Sequence, residues 1–414
     1  MAKIELKSRN EKLTYIRQIL NITQKELAGE NLTREFISMI EGAKRNMSRD
    51  VAVTIMKNAI NYAKDKGIPL DLDEEFIART EEEDLCKLCD ELQNTMETMD
   101  FCNEIMDYAE KNNFPWAKII ATKKIGNIFF INKEVDKAYE KYISCLNMID
   151  RLNSNKLKEN IYNSIGNVKL KRMQYEEALI YYKEALSYCY INQKFTIKNI
   201  INYNIASVYH NLGDFNKSLQ IIEEMLKEDL EKPLIIKCII LKASNYRKLH
   251  LLQEALNIYK ELLNDGFISN EFKGMIYNNM ALSYMDNKDY ENSNKYFDLA
   301  LVSAKFNPDT IYKTTINRGH MYIKCGQYEK AKKVLNEGMT FSKVEEDYEY
   351  EMKYLKELYS LAQAEKNSEE MIKIAEKILK LARKNNIKDE VIWATNNLVE
   401  IARHKKDINI LNNI

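Results

Sequence analysis

Residues 166–182 read Gly166-Asn-Val-Lys-Leu-Lys-Arg-Met-Gln-Tyr-Glu-Glu-Ala178-Leu-Ile-Tyr-Tyr182. A small residue is followed by a large apolar one, Leu170, then at twelve positions by a second small residue, and four later by an aromatic. With the large residue three after the small one, the same pattern precedes it at Gly126, Phe129, Ala138 and Tyr142. It follows at Ala206, Tyr209, Ser218, Ile222, then at Ala243, Tyr246, Ala255, Tyr259. Ala281, Tyr284, Ser293, Phe297 and Gly319, Tyr322, Ala331, Leu335 complete six units. The leading small residues stand 40, 40, 37, 38 and 38 apart, and a fixed period of this size predicts a stack of equivalent helical units. Only 4 Pro and 11 Gly occur in 414 residues, which leaves little turn chemistry for hairpins, so the expected fold class is all-α.

This unit resembles the tetratricopeptide repeat, whose paired helices A and B are held close by small residues and whose large residues fill the groove between them. The resemblance implies a right-handed superhelix over residues 69–414. Residues 83–113 read as a degenerate first pair, Tyr348 to Lys384 as a seventh unit and Val391 to Arg403 as a final helix. Most of the 26 tyrosines are then packing residues of the repeat.

Ahead of the repeats lies a basic stretch. Residues 1–66 hold 13 Lys/Arg against 8 Asp/Glu and the remainder 49 against 54, so the excess of positive charge is confined to the head. That asymmetry points to a polyanionic partner for the head alone. Leu13, Ile16 and Leu20 form one helical stripe. Thr23 with Glu26 makes a capping box for a second helix, and Thr33 caps a third whose Phe36, Ile37 and Ile40 turn inward. Two short capped helices around Gly29-Glu-Asn-Leu32 predict a helix-turn-helix. Pro69 is expected to stop a fifth helix, with the domain boundary at residue 68 and an acid-rich run from Asp71 to Asp84 beyond it.

The string Thr23-Gln-Lys-Glu-Leu-Ala28, then Leu32-Thr-Arg-Glu-Phe-Ile-Ser-Met-Ile-Glu-Gly-Ala-Lys-Arg-Asn-Met-Ser48, resembles the phage-repressor (Cro/CI, or XRE) helix-turn-helix family. The family commonly reads I-E-x-G-K-R-N-P-S where this chain has Ile40-Glu-Gly-Ala-Lys-Arg-Asn-Met-Ser48, so it departs at Ala43 and Met47. The resemblance implies that Arg34, Glu35 and Ser38 read bases, with Thr33 at a phosphate or base edge. Arg can bind guanine O6 and N7 bidentately, and Glu can accept from cytosine N4. Thr23, Gln24, Lys25, Lys44, Arg45 and Asn46 would meet the DNA backbone.

In tetratricopeptide arrays the inner face is lined mainly by helix A. Carried over by position, it takes Lys123, Lys124 and Asn127, then Asn163 and Asn167, then Asn204 and Ser207. Arg247, Asn278, Asn279, Asn317, His320 and Lys324 follow. An amide carries both donor and acceptor, so a ladder of Asn side chains suits the main chain of an extended peptide, and the cations suit a carboxylate. Asn204, Asn279 and Asn317 share one unit position and are expected to point into one groove without being packed.

The seven cysteines are odd in number and scattered, unlike a disulfide framework, and fit a reduced cytoplasm. Met1 to Asn10 lacks the apolar core of a signal peptide, and no stretch approaches the roughly 20 apolar residues of a membrane span. Cys86 and Cys89 form C-x-x-C inside a helical pattern with no second pair, and read as packing residues. No phosphate loop, metal motif or catalytic constellation is present, so neither enzyme activity, cofactor nor metal is expected.

A repressor-like head on such an array is similar to the peptide-pheromone-responsive regulators of Gram-positive bacteria, the Rap–Rgg–NprR–PlcR–PrgX group. That resemblance implies a cytoplasmic transcription regulator that binds operator DNA and a short signalling peptide as a homodimer. Dimerisation is expected through the C-terminal units, where Val391, Ile392, Trp393, Leu398 and Ile401 are apolar for a terminal helix. The competing readings are a scaffold holding a partner protein such as a response regulator, and an array that serves only to dimerise.

Overall fold

The computed structural model describes residues 4, 6–264, 266, 268–305, 307–385 and 387–413; part of the N-terminal stretch read for a signal segment lies outside them. Among the described residues there are helices and loops and no strand. The chain forms two compact units, residues 1–208 and 209–414.

The first unit opens with α1 (Arg9–Leu20), α2 (Gln24–Ala28), α3 (Arg34–Glu41) and α4 (Arg49–Asp65). Local chemistry sets each start. Ser8 with Glu11 and Thr23 with Glu26 form reciprocal capping boxes, while the Thr33 and Ser48 hydroxyls accept from Phe36 N and Val51 N. The helix before the joint is thus the fourth, not the expected fifth. It ends at Asp65, ahead of Pro69, where Gly67 takes a left-handed φ of +65°. Leu13, Ile16, Leu27, Ile37, Ile40, Ile55 and Met56 make the core.

That core does not stop at residue 68. Ile68, Leu70, Leu72, Phe76, Ile77 and Ala78 pack into it, because the chain beyond Pro69 alternates apolar and acidic residues and turns the apolar ones inward. The acidic ones meet cations. Arg49 pairs with Glu75 and Glu83 at 2.8 Å each, and Arg79 reaches Asp73 at 2.6 Å and Asp84 at 2.8 Å. Lys87 also pairs with Asp73. Lys12 on α1, 1 % exposed, donates to Arg79 O at 2.8 Å and pairs with Asp84. Ile4 and Leu6, before α1, pack into the first cluster of the repeats. The head is therefore joined to the array by charge and by apolar contact, and not by a free linker.

Burial works against the ionised Asp73, but hydrogen bonds from Arg79 and Lys87 outweigh it and hold its carboxyl down at about 2. A folded value below the ordinary one of about 3.9 means stability that is present above pH 4 and lost as pH falls toward 2. Asp73→Asn is expected to be less stable than wild type at pH 6, with the gap closing between pH 4 and pH 2. Urea midpoints at each pH check this, and a gap independent of pH would contradict it.

The array begins with α5 (Glu81–Glu91) and α6 (Met99–Lys111), the degenerate pair. Full pairs follow in α7 (Pro115–Ile131) with α8 (Val135–Arg151), and α9 (Lys158–Lys171) with α10 (Tyr175–Asn192). α11 (Phe195–Asn211) begins in the first unit and its last residues fall in the second, which holds α12 (Phe215–Met225). The second unit continues with α13 (Lys232–Lys248), α14 (Leu252–Asn264), α15 (Asn270–Asp286), α16 (Tyr290–Ser303), α17 (Pro308–Lys324) and α18 (Tyr328–Val344). The seventh pair, α19 (Tyr348–Ala364) and α20 (Ser368–Lys384), and the last helix, α21 (Lys388–Lys405), fall where the sequence pattern puts them.

The repeat residues do what their sizes require. The leading small residues are buried, the B-helix small residues Ala138, Ala178, Ala255 and Ala331 are fully buried, and Tyr142, Tyr182, Tyr259, Phe297 and Leu335 fill the space between helices. A Cβ on Gly126 would stand 2.8 Å from Tyr142 Cε1, and one on Gly166 2.5 Å from Tyr182 Cε1, so each tyrosine ring lies directly against a glycine backbone. In α21, Leu398 and Ile401 are buried in the chain's own cluster and Val391 and Trp393 pack onto it, leaving Ile392 as the exposed member of the five. The apolar excess of that helix thus serves α20, and it no longer argues for a dimer contact. In the C-x-x-C, Cys89 is buried and Cys86 partly buried, both packed in the first cluster of the repeats, and burial pushes the Cys86 thiol up to about 12. No helix among the described residues is long and apolar enough to cross a membrane.

Candidate functional site

Two surfaces carry the residues singled out above. On α3, Ile37 and Ile40 are buried and Phe36 is half-buried, which leaves Thr33, Arg34, Glu35 and Ser38 exposed together along the opposite face. Lys25, Lys44, Arg45 and Asn46 are exposed around them, and the Arg45 guanidinium stands 4.6 Å above the Phe36 ring. This stacking holds one cation beside the start of α3 at low entropic cost. Thr23 is exposed and its hydroxyl lies 2.8 Å from Glu26. Gln24 is different, since its Nε2 donates to Glu41 at 2.6 Å, where Arg17 also binds at 2.8 Å. Gln24 and Arg17 together tie α1 and α2 to the end of α3. Ala43, where the resembling family has glycine, takes a left-handed φ of +54°, a conformation that costs an L residue about 1–2 kcal/mol.

The second surface is the amide ladder. In the first unit the Tyr142 hydroxyl donates to Asn127 Oδ1 at 2.8 Å and the Tyr182 hydroxyl to Asn167 Oδ1 at 2.7 Å. Each tyrosine reaches across a glycine to the asparagine that follows it. Asn204 Nδ2 then donates to Asn163 Oδ1 at 3.0 Å and Asn167 Oδ1 at 3.2 Å. In the second unit Asn317 Nδ2 donates to Asn278 Oδ1 at 3.0 Å in the same register. Asn279, which shares the position of Asn204 and Asn317, has Ile240 where its amide partner would stand, and instead lies beside the Tyr259 hydroxyl.

These bonds correct the expectation that the ladder residues are unpacked. Asn163 and Asn278 are buried, and each tie links consecutive A helices, so replacing Asn204 should cost stability as well as any ligand. Lys124 is not at a groove surface: it is buried and donates to Asp90 O at 3.0 Å and Leu92 O at 2.7 Å, capping the C-terminal end of α5. Lys123 lies 4.0 Å from Asp90, and the Ser207 hydroxyl donates to Tyr203 O on its own helix. Arg247 is 9 % exposed and pairs with Asp286 at 2.6 Å, so a ligand carboxylate would have to compete for it. His320 Nδ1 lies 3.3 Å from Glu357, and Lys324 is exposed.

Sequence reasoning missed Asn245, which is fully buried, donates to the Ser218 hydroxyl at 2.8 Å and lies 2.7 Å from His210 Nδ1. With its N–H on Ser218, its Oδ1 accepts from His210, which fixes the neutral ring with Nε2 as an acceptor; burial pulls the His210 pKa down and favours that form.

The tetratricopeptide repeat model matches residues 201–231, 276–302 and 313–343. No curated protein matches the chain in sequence. Among solved structures it is similar to a Rap protein complexed with competence and sporulation factor, at 15% identity and a TM-score of 0.50, over 80% of this chain and 100% of that one. It is also similar to NprR in complex with its cognate peptide NprX, at 17% identity, TM-score 0.48, over 76% of this chain and 98% of that one. Bacillus thuringiensis PlcR in complex with the peptide PapR7 and DNA gives 15% identity and TM-score 0.41, over 71% of this chain and 99% of that one. At 15% identity the likeness to the Rap protein is one of fold, an all-helical tetratricopeptide array.

Proposed function

We propose that the chain is a DNA-binding transcription regulator whose repeat array holds a short signalling peptide that modulates DNA binding. The observation that carries the first half is the exposed row Thr33, Arg34, Glu35 and Ser38 on a capped helix whose other face is core, ringed by Lys25, Lys44 and Arg45. This is the arrangement a recognition helix needs: phosphate contacts to set register and side chains free to reach base edges. The peptide half is supported by the amide ladder and by the fold shared with a Rap protein complexed with competence and sporulation factor. Operators read by such heads are two-fold, so the active species is a homodimer, and the protein binds without catalysing.

Selection of tight-binding duplexes from a random pool, followed by gel shifts, tests the reading. Arg34→Ala is expected to weaken the selected duplex by about 1–3 kcal/mol and leave random duplex nearly unchanged. Lys44→Ala should weaken both and flatten the salt dependence by about one charge. Equal loss on both duplexes for Arg34→Ala would remove its base-reading role, and a chain that selects no duplex would leave the array as a protein-binding scaffold.

A further inference from the structure

The outer side of α20 is charged throughout. Ile374, Ala375, Ile378, Leu379 and Ala382 form its buried side. Its exposed residues are Glu369, Lys373, Lys377, Lys380, Arg383 and Lys384, so no apolar or aromatic side chain stands among them. The helix holds five Lys/Arg against three Glu, and two of the acids, Glu369 and Glu370, lie in the first turn, where the helix dipole favours them. The dipole accounts for Arg383 and Lys384 in the last turn as well, but not for Lys373, Lys377 and Lys380 ahead of it. With Lys384 these three stand at i, i+4, i+7 and i+11, one row along the helix. Like charges three or four residues apart repel, so the row works against the helix that carries it. None of its four lysines has a hydrogen-bond or ion-pair partner among the described residues. Cations on other B helices do: Lys137 pairs with Glu134, Lys217 with Asp214 and Lys343 with Glu351.

We propose that this row binds the phosphate backbone of duplex DNA, as a sequence-independent contact besides the one made by the head. The proposal rests on the DNA-binding reading and adds a second surface to it. Ammonium groups without acceptors of their own suit phosphate, and each one that binds releases counterions condensed on the duplex. The lengths agree, since Lys373 to Lys384 spans about 16 Å along the helix, over which one strand of a duplex presents about five phosphates. Lysine is a point charge on a flexible stem, so it can follow a backbone without reading bases. A protein partner fits less well, because a protein interface centres on apolar or aromatic anchors and the row has none. A lipid surface would take the apolar face of a basic helix, and that face of α20 is part of the core.

The test uses the full-length protein and a short duplex of random sequence, with affinity read by fluorescence anisotropy over a range of salt concentrations. Lys373→Gln, Lys377→Gln, Lys380→Gln and Lys384→Gln combined should flatten the slope of log affinity against log salt by about 3 to 4, since each phosphate contact contributes about 0.9. Changing the same four lysines to Arg should keep the wild-type slope. Lys183→Gln, Lys194→Gln, Lys227→Gln and Lys260→Gln combined removes equal charge from scattered exposed positions and should change the slope by less than about 1. With its repulsion relieved, the Gln row variant should melt no lower than wild type, which separates a lost contact from a lost fold. Equal slopes for the row and scattered variants, or a row variant with the wild-type slope, would overturn the contact and leave the head's DNA reading standing. Loss of polyglutamate binding in a row variant that keeps the wild-type slope on DNA would assign the row to an acidic protein surface and overturn the contact. A wild-type chain that binds no duplex would overturn the DNA reading and the row's role with it.

Discussion

Asp84→Ala should lower the stability of the protein by about 3 kcal/mol, the lower end of the range for breaking a buried pair, because Asp84 itself keeps some contact with water. The loss comes mostly from what is left behind. Lys12 is 1 % exposed, and without Asp84 its ammonium keeps Arg79 O and the face of the Phe76 ring, neither of which carries a charge. Burial already pulls the Lys12 pKa below its ordinary value with Asp84 present, so its removal adds to a standing penalty. Arg79 loses its Nε partner as well but retains Asp73. Replacing both members, as in Lys12→Met with Asp84→Leu, should recover much of the loss, since an apolar pair of similar size carries no desolvation penalty. Urea unfolding followed by circular dichroism reads both variants. A single Asp84→Ala variant within 0.5 kcal/mol of wild type would show that the head is not anchored to α5 through this pair.

How far the sequence reveals this molecule depends on the range of the interaction concerned. The repeat is legible because its packing is local. Gly166 and Tyr182 meet within one helix pair, and the same spacing recurs down the chain, so seven pairs and a final helix can be placed from size alone. The caps at Thr23 and Thr33 are legible for the same reason, as hydroxyl and backbone lie three residues apart. What stays hidden turns on pairs separated by thirty residues or more. Lys124 has the composition of a groove residue, and only its contact with the end of α5 makes it a cap. Arg247 has the look of an anion anchor until Asp286 is found opposite. The head's boundary is missed because Gly67 and Pro69 do end a helix, while the apolar residues that return the next segment to the core, Leu70, Phe76 and Ile77, are interleaved with acidic ones that read as a solvated run.

The tyrosine that crosses Gly166 sets the second large effect. Tyr182 is fully buried, and Tyr182→Ala is expected to cost about 3–5 kcal/mol, because the glycine opposite offers no side chain with which to refill the space. Tyr182→Phe keeps the ring and removes one hydrogen bond. Asn167 Oδ1 retains the bond from Asn204, so that variant should cost only about 1 kcal/mol. Gly166→Ala decides whether the close approach is real, because two effects of opposite sign meet there. Helix propensity alone favours alanine by about 1 kcal/mol. The added methyl, however, would stand 2.5 Å from Tyr182 Cε1 and 2.6 Å from Cδ1, in a ring that has no exposed direction in which to move. Overpacking of this kind costs about 1–3 kcal/mol, and displacing the ring also draws its hydroxyl away from Asn167, so the net change should be a loss. The three urea midpoints should therefore fall in the order Phe above Gly166→Ala above Tyr182→Ala, all below wild type. A stabilised Gly166→Ala, the outcome that propensity alone requires, would mean that the ring does not lie against the α9 backbone and that Asn167 owes its orientation to something other than Tyr182.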